Sequence, residues 1–298
     1  MKPDVAIVAA GSMGAGVARR LTEHGLRVLT LLAGRSAASQ QRAAEAGMVA
    51  VSADALVDVD FVLSIVPPAN ALAFAEQTAF ALKSAQRKPV FVDCNAVSPA
   101  TVRHIHAVIT ATGTDFIDAG IIGMPPVAGR KDGPQIYASG EHASKLQALA
   151  AYGLDIRVLE GPVGAASALK MAYAGISKGH IAIFAAMVLA AQRSGCADAL
   201  RAQLAETDSA LLASMATRIP RAFPKAYRWV AEMQEIAEFA REDPAAREIW
   251  TGISQLYERL ARDLTGSRSE TDGLARFFEE AGRKSTPQGT PPRKRRRR

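Results

Sequence analysis

The sequence predicts an α/β domain with a twisted, mainly parallel sheet, followed by an all-α domain. Three observations predict it. Short continuous apolar runs alternate with amphipathic stretches through the first half of the chain, the pattern of repeated β-α-β units. A glycine-rich turn joins the first apolar run to the first amphipathic stretch. From Ala165 to Leu264 apolar residues keep helical spacing, and no strand candidate occurs. The 298 residues divide on this basis into 1–164, 165–282 and a low-complexity remainder, 283–298.

Val5-Ala6-Ile7-Val8-Ala9 is apolar throughout, as suits a parallel strand covered on both faces. Gly14 to His24 reads as a helix closed by Gly25, and Arg27 to Leu32 as the next strand. A helix over Ser39 to Ala46 ends at Gly47, before a short strand at Met48 to Val51. Phe61 to Val66 is another buried strand, stopped by Pro67-Pro68, and a helix follows from Asn70 to Leu82. Pro89 to Asp93 is a strand ending on a carboxylate. Ser98 is placed to cap a helix with Pro99 at its first position and Thr112 at its end. Phe116-Ile117-Asp118 begins a further strand, and Gln135 to Ala138 forms another. In the helical half, breaks are expected at Gly195, Pro220, Pro224 and Pro244.

An apolar fraction of 49% and a charged fraction of 22% are those of a folded globular chain. The formal charge is +7, but the last eight residues, PPRKRRRR, hold six of the positive charges and leave +1 on the rest. Such a block of like charges is expected to be a disordered, solvated tail rather than a nucleic-acid site. Met1-Lys2-Pro3-Asp4 leads straight into the first strand, so no secretory signal is expected. The longest apolar stretch, His180 to Ala191, is short for a bilayer span and fits a buried helix. Cys94 and Cys196 are far apart and make no disulfide framework. These features predict a cytoplasmic protein with no membrane partner. His104 and His106 lack Cys or acidic partners at ligand spacing, so no metal site is expected.

The turn reads Ala9-Ala10-Gly11-Ser12-Met13-Gly14, an A-x-G-x-x-G variant of the dinucleotide fingerprint. A helix N-terminus offers unpaired N–H groups and partial positive charge to a pyrophosphate. Gly11 lets the backbone approach the phosphates, and Gly14 lets the helix pack on the strand. Ala9 replaces the glycine that serves the turn, which requires a negative φ there. Gly16 reads as a small residue of the first turns. The first domain is therefore a Rossmann-type dinucleotide-binding domain, with Gly11, Ser12, Met13 and Gly14 as cofactor contacts. After the second strand the chain reads Ala33-Gly34-Arg35-Ser36, with no acid to hold ribose hydroxyls. Arg35 can pair with a 2′-phosphate and Ser36 can donate to it, which predicts NADP over NAD.

With these motifs in place, the sequence resembles the β-hydroxyacid dehydrogenases, the superfamily of 3-hydroxyisobutyrate and 6-phosphogluconate dehydrogenases. The resemblance covers most of residues 4–280. It rests on Gly11-Ser12-Met13-Gly14, on Val66-Pro67-Pro68, and on Asp93 to Pro99 at the place of the family's D-x-S-T-x-x-P stretch. Asp118-Ala119-Gly120-Ile121-Ile122-Gly123-Met124 stands where the family has D-A-P-V-S-G-G. Gly164 to Ala174 stands where it has G-x-x-x-x-x-K-x-x-x-N, with Lys170 in place. The stretches SALKMAYAGISKG (Ser167 to Gly179) and RWVAEMQEIA (Arg228 to Ala237) resemble an outlying branch with a phosphogluconate-dehydrogenase-like C-terminal domain. The resemblance implies that Val66, Pro67 and Asn95 bind the cofactor, and that Ile122, Gly123 and Met124 line the substrate site. Here the family's carboxylate-holding serine is Ile122, one glycine is Met124, and the asparagine after the lysine is Ala174.

Lys170 is the candidate general acid/base for hydride transfer between an alcohol and a nicotinamide. Burial and nearby positive charge can bring a lysine toward the neutral range that this role needs. Lys178 lies about 12 Å further along the same helix and about 80° around it. Tyr173, Ser177 and Lys178 are candidate polar contacts for an anionic substrate in place of the missing asparagine and serine. Glu232 and Glu235, one turn apart, read as an exposed acidic face. The implied function is an NADP-dependent oxidoreductase of a small hydroxy or oxo acid. The alternatives are an imine reductase and a non-enzymatic cofactor-binding interaction protein that uses the basic tail, and Lys170 argues against both. The helical domain carries more apolar helix face than one copy can bury, which predicts a homodimer.

Overall fold

The structure, a computed structural model, describes residues 2–130 and 132–283. The expected disordered basic tail lies outside the described residues beyond 283. The chain divides into two units. The first holds the residues up to Ile176 together with Ala231–Thr251; the second holds Ser177–Val230 and the described residues from Gly252 on. The division at 176 differs from the expected boundary at 164. Strands end by residue 158, yet the start of the first long helix and the 231–251 segment pack with the sheet unit.

In chain order the sheet unit runs β1 (Val5–Val8), α1 (Ser12–Glu23), β2 (Val28–Thr30), α2 (Ala37–Glu45), β3 (Val49–Ala50) and α3 (Ala53–Leu56). It continues with β4 (Phe61–Ser64), α4 (Ala71–Ser84), β5 (Val90–Asp93), α5 (Pro99–Thr110), β6 (Asp115–Ile122), β7 (Gln135–Ser139) and β8 (Asp155–Val158). Among the described residues these strands form one eight-stranded sheet, in the order β3-β2-β1-β4-β5-β6-β7-β8. All neighbours are parallel except β6 and β7. The order 3-2-1-4-5-6 is that of the Rossmann domain, whose ligand crevice opens at the carboxyl ends of the strands where β1 and β4 diverge.

The apolar runs of the sequence explain the centre of the sheet. Val5, Ile7, Leu63, Val92 and Ile117 pack into one core under α1, while Ala6, Val8, Val62, Phe91 and Phe116 pack into another against α4 and α5. Phe91 and Phe116 stack between adjacent strands, with ring centroids 5.9 Å apart. Ser98 caps α5 as expected, accepting from the Thr101 N–H at 3.1 Å.

The remaining helices are α6 (Ala165–Arg193), α7 (Ala197–Thr207), α8 (Ser209–Ala222), α9 (Ala226–Phe239), α10 (Pro244–Thr265) and α11 (Ser269–Arg283). The core of the second unit gathers Ile181, Val188, Leu212, Met215, Ile219, Leu260, Leu274 and Phe277. The breaks at Gly195 and Pro244 fall as expected, between α6 and α7 and at the start of α10. Pro220 lies inside α8 rather than ending it, but in the final turn, two residues before the helix stops. By length and composition α6 could cross a membrane, yet half of its most apolar window is buried within the protein.

Candidate active site

A row that crosses the sheet at the carboxyl ends of β4 and β5 is polar and buried. Register places Ser64, Asp93, Asp118 and Ser139 side by side on β4, β5, β6 and β7. Each is at most 1% exposed. Buried polar groups of this kind need partners, and the partners they take build the site around them.

Asp118 organises the start of α6. One of its carboxylate oxygens accepts from the Gly164 and Ser167 N–H groups and the Ser139 hydroxyl, and the other from the Ser167 hydroxyl at 2.6 Å. Ser139 Oγ in turn accepts from the Ala166 N–H. The carboxylate therefore sits at a helix N-terminus, where charge and open donors favour it. Gly120 brings the helix onto the strand: a Cβ there would lie 2.8 Å from Ala166 O and 3.1 Å from Lys170 Cβ. Lys170, one turn into α6, donates from Nζ to Ile121 O at 2.7 Å. The sequence-predicted lysine is thus fixed at the end of β6, next to Ile122, which is buried. Gly123 has φ 129° and faces Pro134 at a distance that leaves no room for a side chain. Met124 is 70% exposed.

The glycine-rich loop joins β1 to α1. Gly11 begins α1 with no side-chain cap, and no acidic residue stands in the first turn. A Cβ on Gly11 would meet nothing within 4 Å, so space is open on that side of the loop, while its N–H donates to Ala9 O at 2.8 Å. At Gly14 a Cβ would lie 2.0 Å from Ala9 O, so glycine is obligatory there. Arg268 is the one non-glycine residue with positive φ among the described residues, so Ala9 meets the condition set by the sequence. Ser12 is exposed and Met13 packs partly against the core. Gly16 is more than a small residue of the first turns: a Cβ would meet Pro126 at 2.9 Å, because the β6–β7 connection runs across α1. Arg20, buried on the same helix, donates to Arg130 O, Asp132 O and Gly153 O and ties that connection down.

At the end of β2, Arg35 is exposed and Ser36 caps α2, with its hydroxyl against Ser39. Arg42 was not singled out in the sequence. Its Nε donates to Ala10 O at 2.9 Å, which brings a guanidinium to the glycine loop. A one-turn offset from Ser39 on α2, with Ser39 Oγ as a further acceptor, was the available signal. Across the crevice, Asn95 is buried and accepts from the Val66 N–H at 2.7 Å, just ahead of Pro67.

The acidic pair on α9 overturns the expected exposed face. Glu232 is 6% exposed, and Glu235 accepts from the Ser98 N–H at 2.7 Å and the Thr101 hydroxyl at 2.9 Å. Burial raises Asp93 from the ordinary carboxylate range to about 7, against the two Asn95 donors that lower it, with Asp118 and Glu235 raising it further. Burial also pushes the neighbouring Cys94 thiol up.

Of the other candidates, Tyr173 is 53% exposed on α6 and Ala174 is buried. Ser177 and Lys178 begin the second unit. The Ser177 carbonyl accepts from Arg218, and Lys178 Nζ lies 5.1 Å over the Trp229 ring. Among the described residues, no group of three or more His, Cys, Asp or Glu is placed to hold a metal ion.

Comparison with known proteins agrees with this geometry. Residues 4–152 match the NAD binding domain of 6-phosphogluconate dehydrogenase, and residues 191–260 match a domain of unknown function, DUF1932. An uncharacterized 28.5 kDa protein of Methanothermus fervidus is 30% identical over 217 residues, 72% of this chain and 82% of that protein. The solved structure of the conserved protein MTH1747, described as similar to 3-hydroxyacid dehydrogenases, is 30% identical with a TM-score of 0.64, covering 87% of this chain and 98% of that one. The 3-hydroxyisobutyrate dehydrogenase of Mycobacterium tuberculosis, solved with L-serine, shares the fold at 18% identity and a TM-score of 0.64, over 94% of this chain and 99% of that one.

Proposed function

The chain belongs to the β-hydroxyacid dehydrogenase superfamily, with a DUF1932 C-terminal domain, and from that premise we propose that it is an NADP-dependent oxidoreductase of a small hydroxy or oxo acid, with Lys170 as its general acid/base. The observation that carries this reading is the placement of Lys170. Its Nζ is held on Ile121 O at the carboxyl edge of the same parallel sheet whose β1–α1 loop offers an uncapped, glycine-lined helix N-terminus.

The loop residues fit a dinucleotide. Gly11 to Gly14 form a helix N-terminus with no side-chain cap and no side chain at Gly11 to obstruct a pyrophosphate, while the Gly11 N–H itself donates to Ala9 O at 2.8 Å. Arg35 and Ser36 after β2, with Arg42 on α2 bonded to the glycine loop, give a cationic setting suited to a 2′-phosphate. The nicotinamide, when bound, supplies the two-electron chemistry. The protein's part is to move the hydroxyl proton. Lys170 takes it in oxidation and returns it in reduction, with the Ile121 carbonyl fixing the direction of the amine. Ile122 and Met124 give the substrate side an apolar wall, and Tyr173, three residues beyond Lys170, offers a hydroxyl.

Tyr173, Ile176, Ile183 and Met187 form an exposed stripe along α6, each 53% to 66% exposed. A stripe of this spacing supports a homodimer paired through α6, checked by light scattering on the purified protein. Two free thiols, Cys94 buried and Cys196 exposed, support a reducing compartment, the cytoplasm.

The test is in two steps. NADPH fluorescence should change on binding and do so at lower concentration than for NADH; loss of the preference in Arg35→Ala assigns it to that residue. A 340 nm screen over hydroxy acids, semialdehydes and cyclic imines then compares wild type with Lys170→Ala. A loss of about 10²- to 10⁴-fold in kcat is expected, and equal rates would remove Lys170 from this role.

A further inference from the structure

Asn95 is held in one orientation by everything around it. Its backbone N–H donates to Asp93 Oδ1 at 3.0 Å, and its Nδ2 donates to Asp93 Oδ2 at 2.8 Å and to Ser64 Oγ at 2.9 Å. Both side-chain protons are spent on these acceptors. Oδ1 is therefore left to face the Val66 N–H, which it accepts at 2.7 Å. Val66 is the second residue after β4 and leads into Pro67 and the 3₁₀ turn at Pro68–Asn70. Neither Pro67 nor Pro68 has an N–H with which to anchor that turn, so the Val66 amide is its tether to β5.

We propose that Asp93 is a positioning residue for the nucleotide side of the site: its ionised carboxylate orients the Asn95 amide so that Asn95 holds the Val66–Pro67–Pro68 turn, and protonation of Asp93 releases the turn. This rests on the cofactor reading above. The chemistry is one of donor matching. An ionised Asp93 accepts from both Asn95 donors. A proton on the edge of Oδ2 that faces Nδ2 sets donor against donor, and the relief is a flip of the Asn95 amide; on the other edge it leaves a neutral, weaker acceptor. The flip puts Nδ2 against the Val66 N–H, which is then a second mismatch in a buried place. The latch is therefore strongest with the carboxylate ionised.

The surroundings make that proton exchange accessible near neutrality. Asp93 is 1% exposed, and the titratable groups that face it are Cys94 beside it, Asp118 on β6 and Glu235 on α9, all raising or resisting negative charge there. Burial is the largest cause, and the group stands at about 7.

The experiment follows the Val66 amide directly, in the full chain without nucleotide, by TROSY NMR between roughly pH 5.5 and 8.5. In wild type the Val66 proton should move downfield with rising pH, with its midpoint near neutrality. In Asp93→Asn, which places an amide where the protonated acid would be, it should stay at the low-pH position at every pH. A Val66 signal that does not titrate in wild type, or titrates identically in the variant, overturns the proposal. The wild-type titration alone decides this if the variant does not fold. In parallel, nucleotide affinity should rise about fivefold to tenfold from low to high pH in wild type relative to the variant, the worth of one hydrogen bond. Titration of the nucleotide's own phosphate cancels in that ratio. Equal affinity profiles with a titrating Val66 would overturn the link to the nucleotide. Wild type that binds no nucleotide at any pH would instead overturn the cofactor reading, while the Val66 signal still judges the latch.

Discussion

Gly120→Ala tests whether the position of Lys170 is set by the contact of α6 with β6. The added Cβ would lie 2.8 Å from Ala166 O and 3.1 Å from Lys170 Cβ, where ordinary contact begins at 3.4 Å. The φ of Gly120 lies outside the left-handed region, so the methyl group is the whole perturbation. Restoring contact requires α6 to retreat from the strand by roughly 0.6 Å, or Ala166 and Lys170 to share that shift. A displacement of 1 Å at a reacting group costs about 10²-fold, so kcat should fall about tenfold. Overpacking of this size costs about 1–3 kcal/mol of stability, which the fold should survive. The assay is turnover at 340 nm with the substrate the screen identifies, alongside nucleotide affinity and a denaturant midpoint. The nucleotide loop lies on other strands, so its affinity should hold within about twofold. A folded variant with unchanged kcat would refute the argument that Gly120 sets the lysine.

Asp118→Ala removes the acceptor for two backbone N–H groups and two hydroxyls at the start of α6. Stranded buried donors should cost about 3–5 kcal/mol, read as a lower urea midpoint, and hydrogen exchange should accelerate at Gly164 and Ser167. Glu235→Ala strips the cap from α5 at Ser98 and Thr101 and should cost about 1–2 kcal/mol, while Glu235→Gln, which keeps an acceptor, should cost less in the same measurement. Asp93 carries a pH signature in stability as well. Its folded pKa of about 7 exceeds the ordinary 3.8, so the fold keeps a proton that the unfolded chain has released, and stability falls as pH rises between these values. The full effect is about 4 kcal/mol at 1.36 kcal/mol per unit. Urea midpoints at about pH 5 and pH 8 should converge in Asp93→Asn; a wild type that grows more stable over that interval would contradict the burial of this group.

The central strands were legible because burial on both faces leaves a continuous apolar run, as in Val5–Val8 and Phe61–Ser64. β8, Asp155–Val158, was not, because it is a half-exposed edge strand whose residues alternate with no apolar run. The antiparallel turn of β7 beside β6 also escaped, since direction is set by the connection and not by composition. At the site, the loop glycines stand out by local spacing, and Lys170 by the resemblance of Gly164–Ala174 to the family's helix motif. The roles of Asp93, Asp118 and Glu235 were not legible: each depends on partners brought from elsewhere, 137 residues away for Glu235 and Ser98. Gly16 read as an ordinary small residue because the segment that presses on it, at Pro126, is distant in the chain. Arg42 was missed for the same reason, its target being Ala10.

Two carboxylates stand next to each other in the sheet, and the difference in their donors divides their work. Asp118 accepts from four groups drawn from β7 and the start of α6, so it locks the helix that carries Lys170. Asp93 accepts two bonds, both from Asn95, and stands beside the Asp118 carboxylate on the neighbouring strand. Negative charge placed this close inside a protein cannot be equally cheap at both positions. The proton therefore goes to the position with fewer donors, and that position is linked through Asn95 to the Val66 turn. The lysine side of the site is thereby held by a group with a full set of partners, and the nucleotide side by one whose grip depends on its charge.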